Sequence, residues 1–308
     1  MFSSIEEVTL EFKKQQYISN KEISSVVYLS EQMQKPILVE GPAGVGKTSI
    51  AGVWAKAAGF ELIRMQCYEG LDESKALYEW EYAKQLLYTQ ILKEKINELL
   101  GGCKSLQEAL DKIDKQEDVF FSKEFILPRP LLQAILSERQ TVLLIDEVDK
   151  ADPEFEAFLL EVLSDFQVSV PELGTLKAKN IPRVVLTSNN SREMTDALKR
   201  RCLHLFIDFP SAPQEKEIVM LKVPGIPDAL AHQVVDVIHK VRTVDLKKLP
   251  SISETLDWAR ALTILNIDVL DEETIKSTLN LFLKYEGDIK KVSGNLHSLL
   301  ATSDGKLN

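Results

Sequence analysis

Short apolar runs alternate with amphipathic stretches along the first two thirds of the chain. The runs lie at residues 36–40, 60–67, 141–146, 182–188 and 203–207. Each run is short, and helical spacing dominates much of the sequence between them, so each run is predicted to be a strand. Strands that alternate with helices predict an α/β fold with a five-stranded parallel sheet, covered on both faces.

Two of the intervening stretches have clear helical boundaries. The first follows the initial strand and closes near Gly59, a residue type that commonly ends helices. The second follows the third strand, where Asp152 is predicted to cap a helix that has Pro153 at its first position. The apolar face predicted for this second helix comprises Phe155, Phe158, Leu159, Val162 and Leu163.

Two segments are longer than a sheet of this kind requires. Residues 68–125 separate the second and third strands by far more than a usual connection, and their pattern predicts a helical insert. Residues 166–181 alternate between apolar and polar residues around Pro171–Gly174 and predict a β-hairpin.

After Pro210 the strand signals stop. Residues 1–210 are therefore predicted to form the α/β domain, and residues 211–308 a small α-helical second domain.

Composition narrows the function classes. The chain has 308 residues, 44% of them hydrophobic, with 37 basic against 47 acidic residues and a net charge of −10. This balance argues against non-specific binding to nucleic acid or to an anionic membrane, which needs clustered Lys and Arg. Cys67, Cys103 and Cys202 lack disulfide or zinc spacing, and neither a signal peptide nor a membrane span is evident, so a cytoplasmic protein is expected.

A glycine-rich segment directly follows the first predicted strand and precedes a helix. Its pattern is GxxxxGK[ST], in which backbone N–H groups surround phosphate oxygens and the helix directs its positive end at the same anion. Lys47 is expected to neutralise the β- and γ-phosphates, and the Thr48 hydroxyl is expected to ligate Mg²⁺. The segment comprises Gly41, Pro42, Ala43, Gly44, Val45, Gly46, Lys47 and Thr48.

Two acids follow the third predicted strand, at the edge of the sheet where open α/β sheets bind ligands. Asp146 is suited to the coordination shell of Mg²⁺, and Glu147 is suited to act as the base that polarises the attacking water. By itself this pair is also compatible with an ordinary strand-to-helix turn that has solvated acids. Beside an intact phosphate-binding loop, the catalytic interpretation is favoured.

Two further segments carry candidate catalytic residues. Asn189, preferred over Asn190, follows the fourth strand and is expected to orient water near the γ-phosphate, although a polar turn explains this segment nearly as well. Arg201, with Arg200 as the second choice, is expected to act as an arginine finger on the γ-phosphate bound by a neighbouring subunit. Cations at a helix C-terminus are also common for purely electrostatic reasons.

Together these motifs resemble those of AAA+ ATPases. GPAGVGKT and LLIDEVDK resemble Walker A and Walker B, TSNN resembles sensor 1, and ALKRRC resembles the arginine-finger region. A helical insert after the second strand and a hairpin before sensor 1 resemble the MoxR group. Within that group, YEGLDESKALYEWEYAKQLL, DALKRRCLHLFIDFP and SISETLDWARAL resemble the CoxD-type branch.

The resemblance implies a chaperone-like remodeller of a protein client. It implies a homo-oligomeric ring, commonly hexameric, with ATP and Mg²⁺ bound between subunits and the helical domain acting as a lid. It also implies a von Willebrand factor A partner and, for the CoxD-type branch, a role in maturing metal centres. The preference for adenine over guanine rests on this resemblance alone.

One position departs from the family pattern. Many relatives have an arginine, called sensor 2, at the start of a lid helix, where this chain has Glu254. Arg260 lies six residues further along and would project from another face of a helix that turns about 100° per residue. No residue of this chain is therefore assigned to sensor 2.

Several segments are candidates for contact with a client or partner. The aromatic residues of the insert, which have helical spacing, are expected to be mainly core. The loop of residues 68–72 and the hairpin tip Pro171–Gly174 are better candidates for elements that face the pore or a partner. The aromatic set comprises Tyr78, Trp80, Tyr82 and Tyr88.

Three other functions compete with ATP-driven protein remodelling. A DNA-dependent AAA+ motor, such as a helicase loader or a McrB-like subunit, is compatible with the nucleotide motifs but not favoured by the charge. A nucleotide-gated scaffold that rarely hydrolyses ATP is compatible with a missing sensor 2, although Glu147 argues against it. A small-molecule kinase is the weakest alternative, because an arginine finger and a helical lid suit an oligomeric ATPase better.

Overall fold

The computed structural model describes residues 2–91, 125–170 and 174–301. In chain order, the strands of this part are β1 (Ile37–Glu40), β2 (Glu61–Gln66), β3 (Tyr78–Trp80), β4 (Ile126–Pro128), β5 (Thr141–Asp146), β6 (Gln167–Val170), β7 (Gly174–Lys177), β8 (Arg183–Ser188) and β9 (Leu203–Phe206). The α-helices are α1 (Ile5–Lys14), α2 (Lys21–Met33), α3 (Lys47–Ala58), α4 (Glu73–Leu77), α5 (Tyr82–Ile91), α6 (Pro130–Leu136), α7 (Pro153–Asp165), α8 (Asp196–Arg201), α9 (Ala212–Lys222), α10 (Asp228–Arg242), α11 (Ile252–Ile264), α12 (Glu272–Phe282) and α13 (Glu286–Ala301).

The strands predicted from the five apolar runs form one parallel sheet, which confirms the α/β fold. Its order is β2-β5-β8-β1-β9. The register pairs Gln66 with Asp146, and Glu40 with Ser188, so the polar ends of four strands meet at one edge. Every residue of β5 and β8 is buried, as expected for central strands of a parallel sheet that is covered on both faces.

Alternate residues of the central strands pack into two separate hydrophobic layers. On one face, Leu38 and Leu143 pack with residues of α6 and α7. On the other face, Val39 and Leu144 pack with residues of α1, α2 and α3, among them the fully buried Trp54. Burial of one such aliphatic side chain contributes about 1.5–3 kcal/mol, so the two layers fix the sheet between its helices.

The insert is helical in its described part, with one short exception. Strand β3 pairs antiparallel with β4, placing Tyr78 opposite Pro128 and Trp80 opposite Ile126. The sequence pattern did not predict this two-stranded sheet. Its partners are distant in sequence and only three residues long, so neither produces a recognisable period of two. Helix α5 follows β3 directly, and residues 92–124 of the predicted insert lie outside the described residues.

The insert aromatics divide into two groups. Tyr78 and Trp80 are partly buried and pack against the larger hydrophobic core, as predicted. Tyr82 is 74% exposed and Tyr88 is 41% exposed, so the prediction that they belong to the core is wrong. They lie on α5, a short helix whose residues Leu86 and Leu87 are also exposed.

The predicted hairpin is confirmed by the antiparallel pairing of β6 with β7. Val168 lies opposite Leu176, and both side chains are buried in the core. Gly174 begins β7, while residues 171–173 of the predicted tip lie outside the described residues.

Helix α7 begins where the sequence predicts, but its cap differs. Asp152 occupies the N-cap position and Pro153 the first turn, yet the Asp152 side chain makes no capping hydrogen bond. Instead, its Oδ2 atom accepts a hydrogen bond from the backbone N–H of Gly70, at 3.1 Å. Asp152 therefore ties the loop after β2 to the start of α7. The predicted apolar face is buried except for Phe158, which is partly buried.

Helices α9 to α13 share a hydrophobic cluster of their own, which confirms the predicted helical lid. The domain boundary at residue 210 stays a prediction.

A buried ion-pair network joins three of these helices. Glu215 of α9 is completely buried and accepts two hydrogen bonds from Arg242, at 2.6 and 2.9 Å. It also accepts from Thr255 of α11 at 2.7 Å and pairs with His239 at 2.9 Å.

We expect Glu215→Leu to destabilise the lid by about 3–5 kcal/mol, because it leaves the Arg242 charge buried without its carboxylate. Urea unfolding monitored by tryptophan fluorescence measures this change, since Trp258, one of the three tryptophans of the chain, is buried in the same cluster. The matched control is Glu217→Leu on the same helix. Glu217 makes an exposed pair with Lys13, so its loss is expected to cost less than about 1 kcal/mol. Equal effects of the two substitutions would contradict the prediction.

Candidate functional site

The glycine-rich segment forms the turn between β1 and α3. Gly41 has φ +144°, and a Cβ atom there would lie 2.0 Å from the carbonyl oxygen of Ile207. Gly44 has φ +75°, and a Cβ atom there would lie 2.2 Å from the Ser251 hydroxyl. Both positions therefore require glycine, for conformation and for close approach. The turn leads directly into α3, whose first residue is Lys47.

Lys47 is buried, and its side-chain ammonium lies within the turn. Its Nζ atom donates to the carbonyl oxygens of Gly41 and Pro42 and to Oδ1 of Asn189, each at 2.7 Å. Burial lowers the pKa of the Lys47 ammonium, and the nearby carboxylates of Asp149 and Asp146 partly oppose that effect. A lysine held in this way presents its charge where phosphate oxygens would enter the turn.

Asp146 ends β5 and is 3% exposed. Its Oδ1 atom accepts hydrogen bonds from the hydroxyls of Thr48 and Thr187, at 2.9 and 2.6 Å. Its Oδ2 atom accepts from Arg64 at 2.6 Å. The Asp146 carboxylate and the Thr48 hydroxyl are hard oxygen donors held side by side, so this pair fits a Mg²⁺ ion brought in with a phosphate ligand.

Glu147 follows Asp146 in a left-handed conformation, with φ +55°. This turn directs its carboxylate to the edge of the sheet, where it accepts hydrogen bonds from Asn189 Nδ2 at 3.0 Å and from Gln66 Nε2 at 2.9 Å. Lys150 adds an exposed ion pair at 2.8 Å. The carboxylate is half-buried and oriented by neighbours on both sides, which suits a group that must hold a water molecule in position.

Asn189 joins the two halves of the site. Its Oδ1 atom accepts from Lys47, while its Nδ2 atom donates to Glu147. Asn190, the residue that the sequence analysis ranked second, is exposed and contacts Ser188 instead. The structure therefore brings Asn189 together with the phosphate-binding turn and the acidic pair, and it does not bring Asn190 there.

A buried carboxylate fixes the loop that carries Asn189. Asp149 Oδ2 accepts hydrogen bonds from the backbone N–H groups of Asn189 and Ser191, at 3.2 and 2.9 Å. Burial raises the pKa of the Asp149 carboxyl, but hydrogen bonds from Ser191 and Asn189 outweigh it, so this pKa lies below its ordinary value. The carboxylate is therefore ionised when it orders the loop.

Two adjoining cavities open at this edge of the sheet. One, of about 330 Å³, is lined by the phosphate-binding turn together with Asp146, Glu147 and Asn189. The other, of about 460 Å³, is lined by the segment before α2, by residues 207–210 and by parts of α9 and α11. Gly44 and Ser253 line both cavities. Charged and polar side chains dominate the lining of the first cavity, and apolar side chains contribute more to the second. The two linings therefore suit a ligand with a charged end and a less polar body.

Comparison with known proteins identifies the family. Residues 36–202 match the model of the AAA domain, dynein-related subfamily. The chain belongs to this AAA family. The matched range includes the phosphate-binding turn, the acidic pair of β5, Asn189 and helix α8.

Individual proteins are similar to this chain over most of its length. An uncharacterized protein of Staphylococcus haemolyticus is 27% identical over 277 residues, which is 86% of this chain and 91% of that protein. A mutant of RuvB from Thermotoga maritima is 17% identical, with a TM-score of 0.48, covering 91% of this chain and 71% of that one. Another structure, the RuvB Holliday junction branch migration motor from T. maritima, is 18% identical with a TM-score of 0.40, covering 88% of this chain and 75% of that one. At these scores neither structure bears on what this chain binds.

Within the AAA domain, Arg200 and Arg201 lie apart from the site. Both are exposed at the C-terminal end of α8, and neither lines the two cavities described above. The Arg201 Nε atom donates to the Ser164 hydroxyl at 2.6 Å. The chain therefore does not bring either arginine to its own phosphate-binding turn.

Helix α8 is held in place by a second buried carboxylate. Glu156 of α7 is completely buried, and its Oε1 atom accepts from both the backbone N–H and the hydroxyl of Thr195, the residue that caps α8. Its Oε2 atom accepts from Arg192 at 2.8 Å. Burial raises the pKa of the Glu156 carboxyl, but hydrogen bonds from Thr195 and Arg192 outweigh it and leave that pKa below its ordinary value.

The start of α11 explains the departure at Glu254. Glu254 accepts from the backbone N–H and the hydroxyl of Ser251 in a capping box and pairs with Lys248 at 3.2 Å. Arg260 is exposed on the same helix, pairs with Asp257 and does not line either cavity. At the start of α11, the N-cap residue Ser251 and Ser253 of the first turn approach the phosphate-binding turn.

Three side chains of this site lie outside the residues predicted from sequence. Arg64 and Gln66 reach Asp146 and Glu147 from β2, and Thr187 supports both from β8. One signal was present for the first two residues, because polar Arg64 and Gln66 alternate with apolar residues on a strand that leads to the site. Thr187 lay within the quoted TSNN motif, but nothing in a single sequence shows that it contacts the acidic pair.

We expect Glu156→Gln to reduce the loss of stability in acid. The Glu156 pKa is depressed in the folded chain, so its contribution is fully present above the unfolded value of about 4.3 and is lost as pH falls through the lower folded value. Melting temperature measured from pH 7 to pH 3 should fall less steeply below about pH 4.5 in Glu156→Gln than in wild type. The exposed Glu154 of the same helix provides the control, Glu154→Gln. Parallel curves for wild type and Glu156→Gln would contradict the prediction.

Proposed function

We propose that this AAA protein hydrolyses ATP to ADP and phosphate with Mg²⁺. One observation carries the proposal: Lys47, Asn189 and Glu147 form a continuous hydrogen-bonded chain beside the Asp146–Thr48 pair. A site built only to bind a nucleotide needs a phosphate-binding turn and a metal ligand. It does not need a carboxylate held by an amide at the same edge, which is an arrangement suited to activating water.

Each residue has a distinct role in this proposal. The backbone N–H groups of residues 41–48 and the Lys47 ammonium bind the β- and γ-phosphates. Thr48 and Asp146 hold Mg²⁺, which supplies positive charge against the phosphate oxygens. Glu147 accepts a proton from the attacking water, and Asn189 keeps that carboxylate and the water aligned without adding charge.

The larger cavity is proposed to hold the nucleoside. Ile18 and Ile207 contribute apolar surface to it, and Leu221 and Ile252 close it from the side of the lid. Such a lining suits the face of a purine base. The family resemblance favours adenine, and the boundary between the α/β domain and the lid is proposed near residue 210, beside this cavity.

The proposed catalytic unit is a homo-oligomeric ring, and the family resemblance favours a hexamer. Arg200 and Arg201 are exposed and lie apart from their own chain's cavities, so an arginine finger from this helix would act on the nucleotide of a neighbouring subunit. The charge of the finger would stabilise the transition state only in the assembled ring. This arrangement makes hydrolysis depend on assembly.

The proposed biological role is chaperone-like remodelling of a protein client in the cytoplasm. The insert, the hairpin and the motifs that resemble the MoxR group and its CoxD-type branch support this role, and so does the net charge of −10. By the same resemblance, the partner would carry a von Willebrand factor A domain, and the client would be an enzyme that acquires a metal centre. Among the described residues, no helix combines the length and apolar character that a membrane crossing requires.

We expect Glu147→Gln to bind ATP normally but to lower its turnover by about 10²–10⁴-fold, because the amide cannot accept the proton of water. Steady-state release of phosphate measures turnover, and a filter-binding assay measures retained ATP. Glu154→Gln, an exposed carboxylate of α7, is the control and should turn over ATP as wild type does. Loss of ATP binding in Glu147→Gln would mean that this residue supports the structure of the site rather than the chemistry.

We expect Arg201→Ala to assemble normally and to lower turnover by about 10³-fold or more, with Arg200→Ala having the smaller effect. Mass photometry measures assembly on the samples used for turnover. Lys199→Ala on the same helix, which removes an exposed ion pair with Glu193 of the preceding loop, is the control.

Mixing experiments separate an inter-subunit finger from an intramolecular effect. Arg201→Ala and Glu147→Gln subunits are each expected to be inactive alone. In mixed rings, the intact Glu147 of one subunit meets the intact Arg201 of its neighbour, so part of the turnover should return. No recovery in verified mixed rings would contradict the finger in trans.

A further inference from the structure

Arg64 contacts the acidic pair from outside the sequence motifs. It lies on the edge strand β2, opposite Leu144 of β5, and its side chain extends along the sheet towards Asp146. The Nη2 atom lies 2.6 Å from Asp146 Oδ2 and 3.3 Å from Oε1 of Gln66. Arg64 thus places a full positive charge on the carboxylate that is proposed to bind Mg²⁺.

The two partners of this ion pair differ sharply in exposure. The Asp146 side chain is 4% exposed, whereas the Arg64 side chain is 55% exposed. A buried carboxylate is costly without a cation or a full set of donors, so Asp146 needs some positive partner. Arg64 can withdraw into water at little cost, because more than half of its side chain already lies there.

The two oxygens of Asp146 are used differently. Oδ1 accepts from the hydroxyls of Thr48 and Thr187, both neutral donors. Among the described residues, the contact to Oδ2 comes from Arg64 alone. Within the described residues, the one cation hydrogen-bonded to Asp146 is therefore also its most exposed partner.

We propose that Arg64 and Mg²⁺ compete for Asp146. Arg64 is a positioning residue that keeps the carboxylate charge-paired until the metal arrives with the nucleotide, and that takes it back when the metal leaves. Both cations require the same carboxylate charge, and two positive charges within a few ångströms repel each other. This inference rests on the proposed nucleotide site and deepens it, because it assigns control of metal affinity to a residue outside the motifs.

Fluorescently labelled ADP, titrated with Mg²⁺ into the full chain, tests the competition. The quantity measured is the Mg²⁺ concentration that gives half of the metal-dependent gain in ADP affinity. Arg64→Gln removes the competing cation, so this Mg²⁺ concentration should fall about five- to tenfold. The value for Arg64→Lys should lie between those of wild type and Arg64→Gln. An ammonium keeps the charge but lacks the reach and planar geometry of the guanidinium.

Two controls isolate the Arg64–Asp146 contact. Arg129→Gln removes another half-exposed arginine that lines the same groove as Arg64 but pairs with Glu79, and it should leave the Mg²⁺ response unchanged. In an Asp146→Asn background the carboxylate charge is gone, so adding Arg64→Gln should produce no further shift. An unchanged Mg²⁺ response in Arg64→Gln, or an equal shift in both backgrounds, would overturn the inference.

A stability measurement covers the case in which Arg64→Gln folds poorly. In EDTA, Arg64→Gln should lower the melting temperature, and the double variant with Asp146→Asn should recover it because no buried charge is left unpaired. If the double variant is no more stable than Arg64→Gln alone, the inference fails. If wild type binds no ADP with or without Mg²⁺, the proposed function itself fails, whereas normal ADP binding with an unshifted Mg²⁺ response removes only the role of Arg64.

Discussion

Burial of the Asp146 carboxylate imposes the requirement around which the nucleotide edge of the sheet is arranged. A charge that is almost fully removed from water must be met by donors from the protein. Those donors come from three elements besides β5: Thr48 from α3, Thr187 from β8 and Arg64 from β2. The hydrogen bonds that this one carboxylate requires therefore fix the relative positions of two neighbouring strands and of the helix that follows the phosphate-binding turn.

The same principle orders the next layer of the structure. Asp149 is buried and binds the backbone of the loop that carries Asn189, and Glu156 is buried and binds the cap of α8. Backbone N–H groups and hydroxyls stabilise the ionised form of each carboxylate, which offsets the cost of burying its charge. The loop and the helix that hold the proposed catalytic residues are thus fixed by charge and hydrogen bonds, whereas the strands beneath them are fixed by apolar packing.

The difference between apolar packing and polar contacts explains what the sequence alone could predict. The strands follow from apolar runs, and the glycine-rich turn is contiguous in sequence, so both lie where the sequence predicts them. Phosphate binding by that turn stays a prediction. The contacts of Arg64 with Asp146 and of Asp152 with Gly70 each join residues 82 positions apart, and no local pattern encodes such a pairing. The exposure of Tyr82 was likewise beyond prediction, because helical spacing is the same whether an aromatic face meets a core or solvent.

The close approach of Gly44 to Ser251 limits how the two halves of the chain can be recombined. A single added methyl group at Gly44 would overlap the serine hydroxyl, so the first turn of α11 and the phosphate-binding turn have complementary shapes at atomic scale. A lid borrowed from a relative would fit this α/β scaffold only if it brought a small residue to the place of Ser251. In a chimera of this chain, exchanging the glycine-rich turn together with the start of the lid helix keeps this contact intact.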